Sequence, residues 1–500
     1  MSNAGQIRSP ASPALTPALP DRGAVTTDGI AGSGAAGPLA ASTISAGPVQ
    51  GHNAQPGHQS GSKGRLGWIV AGSLATGFVA ALLLVAAPFI PVEESAITGA
   101  VLLGFALGWA MLALLSVRFT DQPQRWAAAP ALFMGVGGVL LVAFGSSMRE
   151  ALSWVWPPVL LALVIWMLYQ ARRGMPSRSG RVLLYLMFAV LAISSIGGGY
   201  ETVREAADAN AYPMPGTLID VGAYSLHLNC TGSGSPTVVL EPGAGEMSAN
   251  MGWITTAVAR HTRVCVYDRA GRGWSETADT PQDGARIATD LHTLLHGAGV
   301  PGPYVLAGHS FGGLYVRIFA AHYPDEVAGL VLVDSTASRE PAKPATLASG
   351  DQNSYNAIGR ISTLASIPAR VGLARLYGQV SFGALPPRSR DEVRASTANA
   401  STVASTVEEY LRASASTQQA ASLRDFGDKP LAVLTASVGH DAAWMTAQNK
   451  TATLSTNSVN RVIAVATHEA LVAEQKYAGA TTQAILDVVN SIRHHRPLDR

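Results

Sequence analysis

The chain has 500 residues, with 35 Lys and Arg against 33 Asp and Glu for a formal net charge of +2, and two cysteines. More than one structural unit is expected at that length, and the near-balanced charge with no long Lys or Arg run leaves no electrostatic footprint for nucleic acid. Charged residues make up 14% of the chain and mean hydropathy is positive, whereas soluble proteins carry roughly 25% charged residues; a membrane-embedded portion would produce that deficit.

Residues 1–62 are rich in Ala, Gly, Ser and Pro with almost no aromatics. Such a tail buries too little apolar surface to offset its ordering entropy and is expected to be disordered. Five apolar stretches follow in the region 63–200: Gly67 to Phe89, Ala96 to Val117, Trp126 to Gly145, Leu152 to Gln170 and Val182 to Gly199. Each is near the length that crosses a ~30 Å hydrocarbon core at 1.5 Å per residue, so about five transmembrane helices in the lipid bilayer are expected. Positive charge gathers at Lys63 and Arg65, at Arg118 and Arg125, and at Arg172, Arg173, Arg178 and Arg181. That asymmetry predicts a cytoplasmic N-terminus and an extracytoplasmic C-terminal half in an integral cell-membrane protein. The five apolar cores hold no charged residue, which favours an anchor over an ion pathway.

After a linker at 201–216, strands alternate with helices over 217–493: two around Gly222, then Pro236 to Leu240, Arg263 to Tyr267, a helix from Gly284 to His296, and the strand running into Gly308-His309-Ser310-Phe311-Gly312. Val327 to Val333, closing on Asp334, is the next strand, and Leu431 to Ala436 and Arg461 to Ala466 are late ones. The alternation implies an α/β fold, a doubly wound and mostly parallel sheet. A serine at the tip of a sharp strand-to-helix turn needs small residues two before and two after it, which Gly308 and Gly312 provide. The same turn leaves the Phe311 amide free for a developing oxyanion, so Ser310 reads as a nucleophile. No spacing of Cys, His and carboxylates marks a metal site, and no cofactor is required.

Gly243-Ala244-Gly245, the Tyr267-Asp268-Arg269-Ala270-Gly271 run, the Gly308-to-Gly312 elbow and the late His468 together resemble the α/β-hydrolase fold family, in its serine-hydrolase or esterase-like branch, over roughly residues 215–493. In that family the residues come in the order nucleophile, acid, base. The resemblance implies His468 as base, with His440, His322 and the pair His494 and His495 as weaker candidates. Asp334 and Asp441 are alternatives for the acid, with a slight preference for Asp334. It also implies Ala244 as a second oxyanion donor alongside Phe311, although Gly243-Ala244 stands where the family usually has His-Gly. Asp268, Arg269 and Trp274 read as fixing a turn, and about 336–428 as a helical cap. Cys230 and Cys265 fall on strands that neighbour each other in this fold, so a disulfide is expected there, with two buried thiols as the competing reading. The expected function is hydrolysis of a small-molecule ester or related acyl substrate through an acyl-enzyme. The alternatives are acyl transfer by the same fold and a non-catalytic sensing module. Residues 494–500 are a tail, and the oligomeric state is left open.

Overall fold

The computed structural model describes residues 61–174, 178–278, 280–338 and 352–499. The tail read as disordered lies outside them up to residue 60, as does part of the cap. Four long apolar helices open the described chain: α1 (Gly61–Ala86), α2 (Glu94–Phe119), α3 (Ala128–Gly174) and α4 (Arg178–Ala211). By length and composition all four could cross a membrane.

Four helices rather than five hold the apolar stretches, because the third and fourth stretches lie on α3. Its 47 residues would extend for about 70 Å if straight, but Gly145 (φ 61, ψ −139) breaks it. Past the break the chain folds back on itself. Phe133 stacks on Trp156 with ring centroids 4.0 Å apart, and Gln124 donates to the Gly174 carbonyl at 3.2 Å. The short Ser146 to Glu150 link stays helical, so no loop separates the two arms. Helix α4 likewise carries on through residues 201–211, where a linker was expected. Its polar end, with Glu201, Glu205, Ala206 and Ala207, is made of good helix formers, and Arg375 bonds Glu201 and Asp208 there.

The second half is built on an eight-stranded sheet: β1 (Thr217–Asp220), β2 (Ser225–Thr231), β3 (Val238–Glu241), β4 (Val264–Tyr267), β5 (Tyr304–His309), β6 (Val327–Val333), β7 (Leu431–Ala436) and β8 (Ser458–Ile463). The spatial order is β1-β2-β4-β3-β5-β6-β7-β8, with β1 and β2 antiparallel to their neighbours and the remaining pairs parallel. The central strands are apolar without alternation, as strands covered on both faces are. Helices α5 (Gly252–Val258), α6 (Gly284–Gly297) and α7 (Gly312–His322) connect the early strands. Helices α8 (Gln352–Arg370), α9 (Leu373–Val380), α10 (Pro387–Ala398) and α11 (Ala400–Gln419) form an insertion between β6 and β7. Helices α12 (Ala442–Ala452), α13 (Ala470–Ala473) and α14 (Gln475–His494) complete the chain. Residues of α6 and α7 pack on one face of the sheet and residues of α5 and α14 on the other. Cys230 pairs with Cys265 across the β2/β4 ladder, and the two are joined by a disulfide.

The insertion leans on ends of the apolar helices through three arginines. Arg360 donates to the carbonyl of Val85 in the last turn of α1 and to those of Ala87 and Ile90 just past it. Arg370 grips Glu94 at 2.5 and 2.6 Å, and Arg375, 5% exposed, grips Glu201 at 2.8 and 2.6 Å and Asp208 at 2.6 Å.

Candidate active site

The parallel strands end together, and the chemistry-bearing residues gather at their carboxyl ends. Strand β5 runs into Ser310, which sits at φ 54, a backbone region sparsely populated by non-glycine residues and common at functional turns. The flanking glycines are obligatory. A Cβ on Gly308 would lie 2.4 Å from the Gly312 carbonyl oxygen, and one on Gly312 would lie 2.3 Å from the Glu241 carbonyl oxygen.

Strand β6 delivers Asp334, fully buried and itself at φ 44. Its Oδ2 is 2.7 Å from Nδ1 of His468, on the loop after β8. The same oxygen lies 2.5 Å from Nε2 of His440, and Oδ1 accepts from the Trp444 indole at 3.0 Å and the Ala436 amide at 3.2 Å. Burial by itself would raise this carboxyl, but the hydrogen bonds from His468, Trp444 and His440 outweigh it and hold Asp334 below the usual carboxylate range. Nε2 of His468 has no protein partner among the described residues. Of the two candidate acids, the structure joins Asp334 alone to His468. Asp441 instead caps α12, accepting from the Trp444 amide at 2.8 Å, because a carboxylate preceding a helix satisfies its free N–H groups.

The β3 loop packs against the Ser310 turn, where a Cβ on Gly243 would lie 3.1 Å from the Ser310 Cβ. Among the described residues the amides of Ala244 and Phe311 have no protein acceptor, whereas the Gly243 amide is taken up by Glu246 at 2.5 Å. Glu246 also lies 3.1 Å from Nδ1 of His309, whose Nε2 reaches the His468 carbonyl at 3.1 Å. Burial would lower the His309 imidazole, yet Glu246 beside it holds the ring above its ordinary value.

Behind the loop sits a buried charge network. Arg269 donates to Glu241 at 2.6 Å, to the carbonyls of Pro242 and Gly243 at 2.8 and 2.6 Å, and to Glu409 of α11 at 2.7 Å. Glu409 also binds Arg272 at 2.7 Å and the Gly245 amide at 3.0 Å. Burial pushes the Glu241 carboxyl up to about 7 even with Arg269 opposing it. Arg269 does fix a turn, and it does so through the loop that carries Ala244. Asp268 holds the neighbouring stretch by bonding His227 at 2.8 Å and the Ser248 amide at 2.6 Å.

A family model described as the alpha/beta hydrolase fold matches residues 236–359. The chain has the α/β-hydrolase fold. Among curated relatives, an uncharacterized protein of Schizosaccharomyces pombe is 32% identical over 155 residues, 25% of this chain and 29% of the relative. An AB hydrolase superfamily protein of Gibberella zeae is 31% identical over 104 residues, 20% of this chain and 32% of the relative. The matched stretch therefore spans about a third of either relative's length. Among solved structures, the enol-lactonase of Burkholderia xenovorans aligns with 55% of this chain and all of its own at 17% identity, with a TM-score of 0.42.

Sequence reasoning left out several residues of this candidate site. His309 is the variable position before the serine in a pattern that names only its glycines and serine. Glu246 and Glu409 belong to no motif at all. Asp334, His440 and His468 offer ligand atoms within 4.8 Å of one another, and so do His292, His296 and Glu326. Both are donor groups that could hold a metal and that linear spacing did not display.

Proposed function

We propose that this α/β-hydrolase is a membrane-anchored serine hydrolase acting on an ester or related acyl substrate. The observation that carries the reading is the 2.7 Å bond from Asp334 to Nδ1 of His468, at the same sheet edge as a serine at φ 54. A carboxylate on Nδ1 fixes the tautomer, leaves Nε2 as the basic nitrogen and stabilises the imidazolium that forms.

In this mechanism His468 Nε2 takes the Ser310 proton as Oγ attacks the acyl carbonyl. The oxygen that becomes negative accepts from the Ala244 and Phe311 amides, fixed dipoles that need no reorganisation when charge develops. His468 then gives its proton to the leaving alcohol, and a second cycle with water frees the acid and restores Ser310. The apolar helices serve as the anchor. With α3 folded back at Gly145, the chain makes five passes, an odd number that sets the hydrolase domain outside when Lys63 and Arg65 remain on the cytoplasmic side.

A fluorophosphonate probe applied to the full chain in detergent tests the proposal. Labelling of wild type that disappears in Ser310→Ala is expected. A folded wild-type protein that resists the probe, or equal labelling of both proteins, would refute it.

A further inference from the structure

At the other end of the sheet from Ser310 lies a second group of potential ligands that hydrolysis does not use. His292 and His296 stand one turn apart on α6, and both present Nε2 to Glu326 in the turn that feeds β6. Nε2 of His292 is 3.0 Å from Oε1, and Nε2 of His296 is 3.2 Å from Oε2. The ligand atoms of all three residues lie within 4.8 Å of one another.

Two histidines at i and i+4 on one helix face, joined by a carboxylate from a neighbouring segment, form a donor set that Zn²⁺ accepts. Tetrahedral Zn²⁺ with bonds of about 2.0–2.1 Å sets its ligand atoms about 3.3–3.4 Å apart, so the two His–Glu separations need to open by only a few tenths of an ångström. The His292 ring is held in advance, stacked on Tyr323 with centroids 3.9 Å apart and planes 11° from parallel. The side chains of His292, His296 and Glu326 are 29%, 57% and 28% exposed, which leaves an entry path and room for water as the remaining ligand. Imidazole with one carboxylate suits Zn²⁺ and its transition-metal neighbours, while Mg²⁺ and Ca²⁺ prefer all-oxygen sites.

We propose that His292, His296 and Glu326 bind Zn²⁺ on the surface of the hydrolase domain. The ion ties α6 to the turn before β6, and its position at the amino end of the strands separates it from the nucleophile.

Equilibrium dialysis of the tag-free full chain in detergent, stripped by chelator and titrated with Zn²⁺, tests this. One equivalent is expected to be lost in His296→Ala, weakened at least tenfold in Glu326→Gln and kept in His440→Ala, with Mg²⁺ failing to compete. Zn²⁺ should raise the Tm of wild type and leave that of His296→Ala unmoved. More than half of the His296 side chain faces solvent, so its removal leaves the fold intact. Binding unchanged in His296→Ala, binding lost only in His440→Ala, or no Zn²⁺ bound by wild type at 100-fold metal excess would each overturn the proposal.

Discussion

Asp334 and His468 lie 134 positions apart in the chain and 2.7 Å apart in the fold, while Asp441, closer to the histidine in sequence, spends its carboxylate on a helix end. Asp334→Asn should therefore lower kcat by about 10⁴-fold, the loss seen when the residue holding the catalytic tautomer is neutralised. Asp441→Asn should change turnover little, and asparagine caps helices as well as aspartate does. Esterase kinetics on both variants decide the matter, and a larger loss in Asp441→Asn would reverse the assignment.

Two imidazoles share one oxygen of Asp334, so which of them is the base has to be tested. His468→Ala should abolish turnover as fully as Ser310→Ala, because residues that act as a unit are not additive. His440→Ala removes one hydrogen bond to a buried charge. It should cost about 1.5–3 kcal/mol of stability while keeping most of the turnover. Urea unfolding alongside kcat separates the two effects.

Glu409 is the one carboxylate that α11 sends into the network behind the Ala244 loop. Glu409→Ala would leave Arg269 and Arg272, 4% and 1% exposed, buried without this partner. Breaking such a pair costs about 3–5 kcal/mol, so a clear drop in Tm is expected. Turnover should fall as well, since Gly245 loses its acceptor. Unchanged stability would mean that the network rearranges around the gap.

Glu241 sets a pH dependence of known sign. Its folded-state value of about 7 stands above the ordinary 4.5, so the folded protein binds this proton more tightly than the unfolded chain does. The contribution is fully present below about 4.5 and is lost as pH rises through about 7. Tm measured from pH 5 to 8 should fall more steeply in wild type than in Glu241→Gln. The difference between the two curves isolates Glu241 from the other titrating groups, His309 among them. Parallel curves would rule the effect out.

Much of the candidate site's geometry was legible because its parts are local. Gly308 to Gly312 name their own turn, Asp334 closes an unbroken apolar strand, and His468 follows the last one. The choice between Asp334 and Asp441 was not legible, since both follow strands and only the sheet order decides which faces the imidazole. The last strand ends at Ile463 rather than Ala466, as Val465 turns the chain at φ 63. Glu409 was invisible for a different reason. It is one acid on a polar helix, 140 positions from the Arg269 it binds, and no periodicity marks it. The two groups of potential metal ligands were hidden likewise, each drawing on segments that only the fold brings together.

The grip of Arg360, Arg370 and Arg375 on the helix ends makes the hydrophobic segment more than a tether. A fragment starting near Thr217 would lack Glu94, Glu201 and Asp208, and its helical insertion would carry guanidinium groups stripped of their counter-charges. Such a fragment could misreport both substrate preference and thermal endurance. Searches for the natural substrate are therefore better served by the intact polypeptide in detergent micelles or nanodiscs.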